Sequence, residues 1–109
     1  MSYKKLVRDN IPDIIKENGE EPVFRVLSDK EFLVELKKKL LEESNEVINS
    51  SGDEMLSELG DLLEVMISLA KVHNISLDDI IISSSEKRDK RGSFTKKIYL
   101  EDVKRSTSS

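Results

Sequence analysis

The stretch from Asp53 to His73 limits most tightly what this chain can become. Leu59, Leu62, Leu63, Met66, Leu69 and Ala70 recur at helical spacing and form a stripe wide enough to require burial. Strands expose alternate residues instead, so this pattern places a helix at the centre of the core. Glu58 and Asp61 interrupt the apolar run, with Glu64 a less certain third acid, and no lysine or arginine lies between Asp53 and Ala70 to answer them. Whatever fold forms must therefore find a place for two carboxylates beside a hydrophobic core.

The rest of the chain falls into segments of similar kind. Ile11, Ile14 and Ile15 mark a helix over residues 10–18, with Pro12 in its first turn and Gly19 at its stop. Ser28 followed by Glu31 is a capping box that opens a long helix reaching about Asn49, and Ser50-Ser51-Gly52 breaks it. Ser76 and Asp79 open another helix, apolar through Leu77, Ile80, Ile81 and Ile82, which runs towards Lys90 and ends at Gly92. The expected fold is mainly α, a bundle of about four helices. Residues 23–27 and 96–100 read as two short extended segments that could pair. Residues 1–104 form the expected single domain, and 105–109 a disordered tail.

The acids on the two long helices carry the chemistry. Glu43 and Glu46 lie three residues apart on the first, and Glu58 and Asp61 three apart on the second. That spacing puts each pair on one face, one turn apart, so each can grip a common ion. Leu36, Leu40, Glu43 and Val47 follow the spacing of a buried stripe, so Glu43 points where core residues point. An unpartnered carboxylate there is unfavourable, and a hard divalent cation is the simplest partner. Oxygen ligands alone suit magnesium or manganese rather than zinc. Glu42 is a candidate further ligand, and Glu54 reads as a first-turn acid favoured by the helix dipole. In a chain with 22 acids, one such pair would mean only a solvated face; two pairs on consecutive helices, each intruding on an apolar stripe, mean more.

Composition removes several alternatives. There is no cysteine and a single histidine, His73, which excludes disulfides, thiolate sites and a multi-histidine zinc centre within one chain. The same scarcity argues against a di-metal redox bundle, which uses Glu-x-x-His pairs. A net charge of -4 speaks against nucleic-acid binding through a basic face. No apolar run reaches the roughly 20 residues of a membrane span, and Met1 to Arg8 lacks the apolar core of a signal peptide. The expectation is a cytoplasmic protein with no membrane partner.

Glu42-Glu43-x-x-Glu46 followed by Glu58-x-x-Asp61 resembles the signature of the MazG-like, all-α nucleoside triphosphate pyrophosphohydrolases. That superfamily also holds phosphoribosyl-ATP pyrophosphohydrolases and dimeric dUTPases. The opening residues 3–12, Tyr-Lys-Lys-Leu-Val-Arg-Asp-Asn-Ile-Pro, and the block from Glu86 to Phe94 resemble a house-cleaning subgroup of small bacterial and archaeal proteins. The resemblance implies Glu43, Glu46, Glu58 and Asp61 as magnesium ligands, with Glu42 orienting the attacking water. It also implies cleavage of the α–β phosphoanhydride of a nucleotide, canonical or not, to a monophosphate and pyrophosphate. Homodimers, or dimers of dimers, with the helical bundle completed across an interface, are the implied assembly.

Such chemistry asks a protein for charge neutralisation and alignment more than for covalent steps, and a carboxylate left free can accept the water's proton. Lys87, Arg88, Lys90 and Arg91 are the expected phosphate contacts, arginine because its planar fork matches phosphate. The plainer account of that cluster is a helix end whose dipole favours cations. Lys4, Lys5 and Arg8 are a second source of cations for phosphate, although ion pairing on a surface strand or helix lead-in is the favoured reading for them. Phe24, Phe32, Phe94 and Tyr99 could stack on a base, but aromatics this scarce more often serve a core. The competing reading is a helical protein that binds a nucleotide or a partner without turning it over.

Overall fold

A computed structural model describes residues 4–105. Four helices follow one another: α1 (Ile11–Glu17), α2 (Asp29–Asn49), α3 (Met55–Val72) and α4 (Leu77–Arg91). The chain divides into two compact units, with the boundary after Leu77. The expected tail falls largely on residues 106–109, which lie outside the described residues.

Local chemistry sets the boundaries of the first unit. Pro12 sits in the first turn of α1, where its missing N–H is not needed. The helix stops because Gly19 adopts φ +83, letting the Gly19 N–H bond Lys16 O at 3.0 Å and the Glu20 N–H bond Ile15 O at 3.1 Å. At the start of α2 the reciprocal capping box forms. Glu31 N–H donates to Ser28 Oγ at 3.2 Å, and Ser28 N–H donates to Glu31 Oε1 at 3.3 Å. Arg25 reinforces it with two bonds to the same carboxylate, at 2.8 and 3.3 Å. The end of α3 repeats the α1 device, with Asn74 rather than glycine at φ 58. There the Asn74 N–H bonds Lys71 O and the Ile75 N–H bonds Ala70 O.

α2 and α3 pack against each other as an antiparallel hairpin. Asp29 and Phe32 at the start of α2 share a shallow cleft with Ser68, Lys71 and Val72 at the end of α3. Leu36 is 2% exposed, and Val65 and Ala70 are buried with it. Leu40, Glu43 and Val47 continue the covered stripe on α2, and Glu58, Asp61, Leu62 and Leu69 lie partly covered on α3. The apolar stripe of α3 is wider than α2 can cover. Leu59, Leu63 and Met66 stay exposed, as does Leu56 at 85%; at 3.6 residues per turn they lie roughly a quarter-turn or more from the α2-facing side.

In the second unit, α4 begins directly after Ser76 and stops at Gly92, whose φ is +80 and whose N–H bonds Arg88 O at 2.8 Å. Ile81 and Ile82 are exposed on it.

The two short strands do not form among the described residues. Residues 23–27 carry no ladder, and Val23 and Val26 stand almost fully in solvent; the preceding Pro22 has no N–H to begin one. Residues 94–97 form a turn, with Lys97 N–H on Phe94 O and Lys97 at φ 58, which breaks the extended conformation that 96–100 would need.

Candidate metal centre

The middle of the hairpin brings acids from both helices together. Glu43, Glu58 and Asp61, all partly buried, each offer a carboxylate oxygen, and these oxygens lie within 4.8 Å of one another. Glu43 is turned inward by the stripe that buries Leu36, and its side chain is only 15% exposed. Glu58 and Asp61, one turn apart on α3, approach it from the other side of the hairpin.

Glu46 belongs to the same neighbourhood but not to that convergent group. Three residues along a helix advance about 300° around it, so Glu46 is offset by about 60° from Glu43 and remains exposed. Its charge still acts on Glu58. The Glu58 carboxyl is pushed above its ordinary range by desolvation first, and then by Glu46, Asp61, Glu43 and Glu54 in that order. Glu54 is the N-cap residue of α3, the helix-start position expected of it. Glu42 is exposed beside Glu43.

Two cations answer the acids. Lys39 Nζ lies 3.6 Å from Glu43 and 3.7 Å from Glu42, four and three residues along the same helix, a spacing that the sequence does display. Arg8 Nη2 donates to Asp61 Oδ1 at 2.8 Å across 53 residues of chain, which no local pattern announces. It is the ion pair expected of the lead-in segment, placed on one of the clustered acids. Neither cation is an ion-pair partner of Glu58 among the described residues.

The donor set fits a hard divalent ion. It is anionic, all-oxygen and contributed by two rigid elements. Oxygens on opposite sides of a magnesium ion sit about 4.2 Å apart, given metal–oxygen distances of about 2.1 Å, so small side-chain rotations would close this cluster on one ion. The like-charge strain on Glu58 is what such an ion would relieve.

Of the cations expected on phosphate, Arg88, Lys90 and Arg91 fill the last turn of α4, where the helix dipole favours them. Lys87, Lys90 and Arg91 line a shallow surface cleft with Glu86 and Asp89. They belong to the second compact unit.

A helical hairpin with a three-carboxylate seat at its middle defines the class of site. Residues 33–93, more than half of the chain, match the MazG nucleotide pyrophosphohydrolase domain, and the chain belongs to that family. A curated relative from Mycolicibacterium smegmatis, described as an uncharacterized protein, is 49% identical over 43 residues. That match covers 39% of this chain and 44% of the relative, so less than half of the relative's length is spanned. No solved structure matches the chain. Among the described residues, no helix is long and apolar enough to cross a membrane.

Proposed function

We propose that this chain is a magnesium-dependent nucleotide pyrophosphohydrolase, cleaving the α–β phosphoanhydride of a nucleoside triphosphate to a monophosphate and pyrophosphate. The observation that carries the reading is the convergence of Glu43, Glu58 and Asp61 within 4.8 Å, inside the segment matched by the family. Those three would hold the ion, with manganese able to replace magnesium, and Glu46 would complete the seat after a change of rotamer. When bound, the ion supplies charge neutralisation at phosphate oxygens and polarises water. Glu42, exposed and next in sequence to a ligand, is the carboxylate left to orient the attacking water and accept its proton. Lys87, Arg88, Lys90 and Arg91 are the proposed phosphate contacts on α4.

The working assembly is a homodimer in the cytoplasm. Among the described residues, only Leu36, Val65 and Ala70 are buried, whereas Leu56, Leu59, Leu63 and Met66 on α3 and Val34, Leu41 and Ile48 on α2 are exposed. Gly60, in the middle of α3, has nothing near where a Cβ would stand. An uncovered apolar face of that kind marks an interaction surface, and a second copy of the hairpin matches it in length and character.

The test is release of pyrophosphate from a panel of normal and modified nucleoside triphosphates, with and without magnesium. Magnesium-dependent release from at least one substrate is expected. Silence across the panel with magnesium and manganese would favour a protein that binds nucleotide or partner without turnover.

A further inference from the structure

Arg8 stands outside the segment that matches the family, yet its guanidinium reaches the carboxylate cluster. It is fixed there from both ends. The Ile11 N–H bonds Arg8 O at 3.1 Å in the turn that leads into α1, and the side chain donates to Asp61 Oδ1 at 2.8 Å. That bond is the single one drawn from the guanidinium among the described residues, and 59% of the side chain faces solvent. An arginine carries five N–H donors on a planar fork, so most of its donor capacity is not taken up by Asp61 and is open to solvent beside the cluster. Lys39 differs. Its side chain is 21% exposed and held between Glu42 and Glu43, as a counter-charge within its own helix.

An exposed ion pair contributes little to stability, which makes a long-range pair at this position a poor device for holding the fold. Charge gives it a better purpose. Glu43, Glu58 and Asp61 present three negative charges to a substrate that is itself polyanionic, and one divalent ion does not balance them. A cation bound to the cluster's edge with its donors still available would supply the remainder where phosphate must approach.

We propose that Arg8 is a phosphate-contact residue of this site. It stays tied to Asp61 by one N–H and gives its other donors to non-bridging oxygens of the phosphate chain. The proposal rests on the pyrophosphohydrolase reading for the reaction, but its binding component can be measured without turnover.

The experiment compares wild type with Arg8→Ala, Arg8→Gln and Arg8→Lys. Titration calorimetry with inorganic tripolyphosphate in the presence of magnesium reads phosphate binding, manganese binding is read separately by its spin-resonance signal, and steady-state kinetics uses whichever triphosphate is turned over. Loss of a charge-assisted contact predicts a tenfold or greater weakening of tripolyphosphate binding in the Ala and Gln variants. Their KM should rise comparably and kcat change less, Arg8→Lys should recover part of the loss, and manganese affinity should stay within about threefold. Unchanged tripolyphosphate binding would overturn the proposal. So would a manganese affinity that falls in step with it, because Arg8 would then act by positioning Asp61. If wild type releases no pyrophosphate but binds tripolyphosphate through Arg8, the contact stands and the catalytic reading fails. Turnover by wild type that is indifferent to Arg8 would remove the contact and leave the catalytic reading in place.

Discussion

Glu58 sits partly buried among other acids with no cationic partner within ion-pair distance among the described residues, and its carboxyl is pushed above the ordinary value of 4.5. A raised folded-state value means that Glu58 favours folding when protonated, below about pH 4.5, and that this contribution is lost as pH rises through the folded value. Metal-free Glu58→Gln should therefore melt at a higher temperature than wild type at pH 7, the gap closing in acid. Magnesium should raise the melting temperature of wild type and leave the variant nearly unmoved. A thermal-shift series with chelator or magnesium reads both effects, and a variant less stable than wild type without metal would contradict the account. Glu58 and Asp61 are legible in the sequence as acids set beside the core because they interrupt an apolar stripe with no cation near them. The pairing of Arg8 with Asp61 is not legible, because a 53-residue separation leaves no periodic trace.

At the scale of elements, each helix end is set by a few neighbouring residues, which is why all four helices can be read directly. Gly19 and Gly92 take the left-handed conformation that stops a helix, and Ser28 with Glu31 starts one. Ser28→Ala should cost about 1 kcal/mol of stability in chemical denaturation. The Glu31 carboxyl is held down to about 2, by Arg25 first and then by the backbone and hydroxyl of Ser28. A depressed folded-state value gives stability that is complete above the unfolded value of 4.5 and is lost as pH falls towards 2. The melting-temperature gap between wild type and Glu31→Gln should accordingly be full at pH 6 and close in that window. A gap that persisted at pH 2 would show that the cap does not depend on the charge. The expected strands fail because an apolar pattern at 23–27 and 96–100 says nothing about a pairing partner, and an extended segment without one gains no ladder. Glu46 shows a smaller limit of the same reasoning: both pairs carry the same offset of about 60° around their helix, and where the facing helix lies decides whether one carboxylate or both turn towards it.

Over the whole molecule, the hairpin depends on few buried residues. Leu36 is the most enclosed at 2% exposure, and Leu36→Ala should destabilise the protein by about 2–5 kcal/mol, measured by urea unfolding. A loss below about 1 kcal/mol would mean that the α2–α3 seam contributes less than its burial implies. The stripe on α3 is legible as apolar, but its outward half is not, since a pattern of spacings cannot say how many neighbours a helix has. That half is the surface proposed for the dimer. Sedimentation should give twice the chain mass for wild type, and Leu56→Glu with Leu63→Glu should give the monomer. A monomeric wild type would remove the dimer and leave the exposed leucines unexplained.

In the proposed reaction the clustered carboxylates hold the ion with which water breaks a nucleoside triphosphate between its α and β phosphates. Phosphorus NMR of a turnover mixture containing magnesium tests it most directly, with wild type beside Glu58→Gln. The prediction is monophosphate and pyrophosphate accumulating in equal amounts with wild type and neither with the variant. Nucleoside diphosphate with orthophosphate, or undiminished pyrophosphate from Glu58→Gln, would contradict it.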